Sequence, residues 1–174
     1  MKSSPDTAYP AMRSAKVPRS PLAGPYGHPF HPIAVTIPIG AWTATLVFDL
    51  LGLFAENPAP YAIGARVLVI IGLAGALVAV VFGLLDLSRI PRGTPARHTA
   101  LLHATLNAGA IVLFAVVLVI RFAVGDDISP WALAITAAAL LVLGFSGWLG
   151  GKLSYRWGVR VADETTQREG YVGA

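Results

Sequence analysis

The sequence has no cysteine in its 174 residues, so disulfides, thiolate metal sites and cysteine nucleophiles are all excluded. Charge is scarce: 13% of residues are Asp, Glu, Lys or Arg, about half of the roughly 25% usual in soluble domains. Polar catalytic signatures are missing too. There is no HExxH, no phosphate loop and no Ser–His–Asp set at believable spacing. Ser146 falls within an apolar run, and Trp148 stands where a nucleophile elbow has its trailing glycine. Residues 1–26 contain no apolar segment of the kind that marks a secretory signal.

What the chain has instead is apolar length. Fifty-five per cent of residues are hydrophobic, and the mean hydropathy is +0.66. This composition excludes intrinsic disorder for the chain as a whole and describes a protein whose outer surface does not face water. A bilayer core of roughly 30 Å needs about 20 consecutive apolar residues in a helix. Four stretches meet that need, at about 33–54, 67–85, 99–120 and 131–149. Each is apolar around its whole circumference, which fits lipid cover. The connections between them are short and hold helix breakers such as Pro58, Pro91, Gly93, Pro95 and Pro130. Short links make neighbouring helices antiparallel, so the expected fold is all-α: a polytopic membrane protein with an up-down-up-down four-helix bundle across residues 27–158. Residues 1–26, rich in proline and serine, are expected to be a disordered tail, and residues 159–174 a second polar tail.

The basic residues set the orientation. Eleven of the thirteen lie in the N-terminal segment, the second loop or the C-terminal segment, which share one side in any four-span arrangement. Only Arg66 and Arg121 lie on the other. Positive residues stay inside, so both termini are expected in the cytoplasm of a bacterial inner membrane. The high pI is therefore a topology signal with a possible contact to anionic headgroups, and nucleic acid is not an expected partner. Small residues at Gly72, Gly75, Ala76, Ala79 and Gly83, and the Gly147–Gly151 pair, suit close helix packing within the chain or, less favoured, self-association.

Ionisable residues inside apolar spans are expensive and mark candidate sites. On the side away from the termini, Asp49 lies within the first span and needs a partner, which Arg121 or Arg66 could supply as a buried ion pair. On the terminal side lie His28, His31, Asp86, His98 and His103, with Asn107 one helical turn beyond His103. In Gly27-His28-Pro29-Phe30-His31-Pro32 a proline follows each histidine, which predicts that both stay outside the helix and that Pro32 opens it. Pro38 predicts a bend in the first span.

Three blocks then resemble a known family: GHPFHPIAVTIPIG at Gly27–Gly40, GLLDLSRIPRGTPAR at Gly83–Arg97 with LLHATLN at Leu101–Asn107, and SGWLGGKLSYRWGV at Ser146–Val159. The sequence is similar here to the DUF2231 family of bacterial membrane proteins. The resemblance implies a four-helix membrane domain without an assigned activity. Some relatives are joined to Rieske-type iron–sulfur domains, which implies an electron-transfer context and a redox partner. Many relatives carry further histidines where this chain has Thr36 and Trp157.

Three readings follow. The first is a non-enzymatic membrane module or subunit, associated with a redox partner. The second is a carrier holding haem b or a quinone through His31 and His103, with Asn107 and Asp86 supporting them. Against it, helix rise counted from Phe54 and Ile120 places His31 and His103 about 8 Å apart in depth, with position 36 a better match for His103. The third is divalent-metal binding by His28, His31, Asp86 and His103.

Overall fold

The computed structural model describes residues 9–172. Four helices are long and apolar enough to cross a membrane: Phe30–Leu53, Ala59–Leu87, Pro95–Val124 and Pro130–Arg156. We number the helices in chain order: α1 is Pro10–Lys16, α2 to α5 are these four, and α6 is Glu164–Arg168. No strand occurs among the described residues.

Helix ends follow local chemistry more closely than hydropathy. Thr94 caps α4 by accepting from the Arg97 backbone N–H at 3.1 Å, and Pro95 takes the first helical position, where a missing N–H costs nothing. Ser129 and Pro130 repeat the device for α5, at 3.3 Å to the Ala132 N–H. The polar turn Pro95–His98 is therefore helical, and α4 begins four residues before its apolar run. The α-helical pattern of α2 is interrupted at Val35, three residues before the Pro38 ring that removes a hydrogen bond. The last turns of α5, Lys152–Arg156, widen into a π-helix.

Contacts join α2 to α3, α3 to α4, α4 to α5 and α5 to α2, so the four spans form a ring with α2 and α4 parallel across one diagonal. Across that diagonal Trp42 stacks on Phe114, with ring centres 4.0 Å apart and planes within 8°. Val69, Ala76, Val117, Ala132 and Ala139 complete the core around them. Between 22% and 33% of each span is buried within the chain. The outward Leu, Ile and Val side chains need lipid, because a water-facing surface of that kind has no polar cover. With no hydrophobic force between helices in lipid, close packing decides, and small residues allow it. A Cβ at Gly72 would lie 2.1 Å from the Trp42 indole nitrogen, so that glycine is where α3 admits the core tryptophan. The small-residue face of α3 is thus occupied inside the bundle.

The terminal segments differ from expectation. The sequence suggested a disordered stretch at 1–26; residues 1–8 of it lie outside the described residues, but residues 9–26 are folded, with α1 followed by a 3₁₀ turn at Pro21–Ala23. Arg160 explains this. Its backbone N–H donates to Ala15 O at 3.1 Å, and its guanidinium donates to Ala23 O at 2.8 Å and Gly24 O at 3.1 Å. The same guanidinium lies 2.9 Å from the Asp86 carboxylate, at the end of α3. A buried arginine fixed by carbonyls from two segments orders both, and Ala15, Ile90, Ala100, Leu153 and Val159 bury a small second core beneath it. Low apolar content concealed this because the bonds run to backbone groups.

Asp163 fastens the outer edge of this cap. It accepts from the Thr166 N–H at 2.8 Å as the N-cap of α6, and from the Tyr26 hydroxyl at 2.9 Å. Those two donors, the backbone one first, hold its carboxyl below the ordinary value of 3.8. A depressed carboxyl stabilises the folded state above 3.8 and ceases to as the pH falls through the lower folded value. Protection of the Thr166 amide against hydrogen exchange, corrected for intrinsic rate, should therefore hold at mildly acidic pH and collapse below that range. Asp163→Ala should reduce it above that range; equal protection there in the variant would contradict the account.

Candidate functional site

Two histidines face each other at the terminal end of the bundle. Contrary to the expectation from Pro32, His31 is helical, in the first turn of α2, which opens at Phe30 behind Pro29 as its cap. Pro32 still lies within that first turn, where its N–H is not needed, so the bias of a pre-proline residue is overridden. His28 does stay outside the helix; it is exposed, with Nδ1 3.4 Å from Tyr26 O.

The His31 and His103 rings lie 6.2 Å apart, centre to centre, at 87° to each other. Each is held in the same way. His31 Nδ1 is 2.9 Å from Ala79 O on α3, and His103 Nδ1 is 2.8 Å from Ser146 O on α5. A carbonyl only accepts, so the hydrogen sits on Nδ1 in both rings and each Nε2 is left as an acceptor without hydrogen. Four residues beyond each carbonyl is a glycine beside the ring: a Cβ on Gly83 would come within 3.1 Å of His31, and one on Gly150 within 3.2 Å of His103.

This equivalence extends along the diagonal. His31 faces His103, Trp42 stacks on Phe114, and Asp49 pairs with Arg121 at 2.5 Å. Each pair is separated by 72 residues, so α2 and α4 run in one fixed register. The helix pairs α2–α3 and α4–α5 are structural counterparts, a relation the two halves of the sequence do not advertise. It also corrects the expected mismatch in depth. The opposite ends of these helices are Leu53 and Val124, not Phe54 and Ile120, so His31 and His103 lie 22 and 21 residues from them. At 1.5 Å per residue the two imidazoles are level to within about 2 Å. Position 36 is not the better match: Thr36 is exposed, and its hydroxyl donates to Ile33 O at 2.7 Å.

His103 has support that His31 lacks. The Asn107 amide nitrogen lies 3.2 Å from His103 Nε2 and donates to Ser146 Oγ at 2.8 Å. Ser146 Oγ in turn donates to His103 O at 3.2 Å. Ser146 is fully buried, and sequence reasoning dismissed it because it sought a nucleophile rather than an anchor.

The remaining candidates lie elsewhere. Asp86 is held by Arg160 and does not join the histidines. Among the described residues no group of three or more His, Cys, Asp or Glu could hold a metal ion, so the four-residue metal set is not brought together. Asp49 and Arg121 form the expected buried pair, 1% and 3% exposed. Arg66 does not share it; it binds Asp126 at 2.9 Å on the opposite loop. One carboxylate oxygen of Asp49, Arg121 Nε and the Thr136 hydroxyl have no protein partner. His98 is exposed.

Four lipid-facing helices closed around paired polar residues define a multi-pass membrane protein. The family described as "Predicted membrane protein (DUF2231)" matches residues 27–163, and the chain belongs to it. No curated protein and no solved structure matches the chain.

The ring assignments can be checked directly. In ¹⁵N-labelled protein near neutral pH, both His31 and His103 should show a protonated Nδ1 and an unprotonated Nε2. Asn107→Leu should move the His103 Nε2 resonance and leave that of His31 in place. A protonated Nε2 on either ring would contradict the geometry.

Proposed function

We propose that this chain is a membrane electron-carrying module in which His31 and His103 would hold haem b, serving a redox partner rather than catalysing a reaction alone. The observation that carries this reading is the paired imidazoles, level across the diagonal and each with Nε2 free of hydrogen. Imidazole nitrogen–metal bonds are about 2.0–2.1 Å, so two imidazoles holding one ion through facing nitrogens would have ring centres on the order of 6 Å apart. The 6.2 Å between these rings agrees. Bis-imidazole ligation also requires each remaining nitrogen to donate outward, fixing tautomer and orientation, and Ala79 O and Ser146 O supply those acceptors.

Ala79, Gly83, Ser146 and Gly150 present little bulk beside the rings. Haem b when bound supplies a one-electron couple whose potential depends on ligands, burial and hydrogen bonds. The chain's own residues set those terms: two neutral imidazoles, an apolar surround, and one amide that reaches His103 only. The tautomer favours this over a quinone. A bare Nε2 accepts from a quinol hydroxyl but offers no hydrogen to a quinone carbonyl.

The basic bias supports an arrangement with both termini in the cytoplasm of the bacterial inner membrane, so the partner would approach the terminal end, near the histidines. The opposite end, closed by Asp49 and Arg121, would hold the helices in register.

Absorbance of the protein, purified in detergent from cells supplied with haem precursor, tests the reading. A Soret band near one haem per chain is expected, with split α and β bands on reduction. His31→Ala and His103→Ala should each lower haem content at least about tenfold, the scale expected when a coordinating group is lost. His28→Ala should leave it unchanged. A colourless protein, or haem retained in both ligand variants, overturns the proposal.

A further inference from the structure

The terminal end of the bundle holds a second feature, lined by neither histidine. A cavity of about 490 Å³ opens where the loop between α3 and α4 folds against the N-terminal segment. Arg19, Arg89, Arg92 and Arg97 line it, together with Ser14 and Ser88. No carboxylate is among its lining residues, and among the described residues none of the four arginines is ion-paired. Arg97 is fixed by donating from one terminal nitrogen to Leu87 O and Ile90 O, the last carbonyls of α3 and its loop. Arg89 is fixed by donating from Nε to Val17 O at 3.3 Å, while its own carbonyl accepts from Ser14 at 3.0 Å. A guanidinium has five donors, so each keeps N–H groups to spare. Arg19 and Arg92 are exposed.

Four cations around one cavity repel each other, and the fold keeps two of them in place with backbone bonds. Such a field is relieved by an anion, and planar guanidinium forks match phosphate oxygens in pairs. The position points the same way: the loop joins the ends of two apolar spans, the level at which lipid headgroups lie. We propose that this cavity binds a phosphate ester through Arg19, Arg89, Arg92 and Arg97. Its two sources are the headgroup of an anionic phospholipid and a soluble phosphate compound.

The test compares thermal midpoints of the full chain in phosphatidylcholine nanodiscs, in discs containing phosphatidylglycerol, and in phosphatidylcholine discs with added inorganic phosphate. Arg19→Gln with Arg92→Gln removes two exposed cavity cations without touching the backbone bonds of Arg89 and Arg97. Arg13→Gln with Arg168→Gln removes the same charge from exposed positions outside the cavity. Stabilisation by phosphatidylglycerol is expected, with apparent affinity falling at least about tenfold more in the cavity pair than in the control pair. Stabilisation by inorganic phosphate alone, lost in the cavity pair, would assign the site to a soluble phosphate and equally support it. No stabilisation by either, or equal losses in the two double variants, would overturn it.

Discussion

The arrangement of this protein depends on one constraint: α2 and α4, which are not neighbours in sequence or in the ring of helices, are locked in a single register across the bundle. Lipid tails are as apolar as leucine, so burial alone cannot choose that register. It is chosen by three unlike contacts: a stacked Trp42–Phe114 pair at the centre, the Asp49–Arg121 pair toward one end and the two imidazoles toward the other. Sliding one helix by a residue would unstack the rings and leave a charge unpaired in a space with no water. Breaking a buried ion pair typically costs about 3–5 kcal/mol, far more than an aromatic contact supplies, so the Asp49–Arg121 end dominates the choice.

Two histidines follow as a consequence. Each anchors to a carbonyl of the next helix and rests on a glycine one turn further along, so the α2–α3 and α4–α5 halves present imidazoles in equivalent ways. Equivalence stops at Asn107 and Ser146, which attend His103 alone. In the proposed reading, two matched imidazoles with one-sided hydrogen bonding would hold a group firmly while adjusting its electronic properties. Thr36 takes no part, since it is exposed, so the lack of an imidazole there removes nothing from this pair.

Much of the fold was legible because lipid imposes long apolar runs. The four spans, their short links and the need of Asp49 for an arginine partner followed from hydropathy, breakers and the cost of a lone buried charge; the choice of Arg121 over Arg66 did not. The histidine pairing did not, for a physical reason. Depth was counted from where hydropathy fades, whereas the helices stop where caps and glycine stop them, as at Gly125 beyond Val124. An error of four residues at one end is about 6 Å, enough to hide a facing pair. Arg66 was misplaced because its reach to the loop carboxylate of Asp126 depends on tertiary placement. The folding of residues 9–26 was hidden because Arg160 orders them through backbone carbonyls, which no composition reports. The constant separation of 72 residues needs no apparent sequence repeat, because it resides in six side chains.

A double-mutant cycle on Asp49 and Arg121, measured by reversible unfolding in detergent, tests this register most directly. Asp49→Leu and Arg121→Met alone should each destabilise the bundle by about 3–5 kcal/mol, since each strands the other's charge. Together they should cost far less than their sum and leave the protein near its original stability. Additive losses, or singles that cost nothing, would mean that the two side chains do not meet and that the diagonal register described here is wrong.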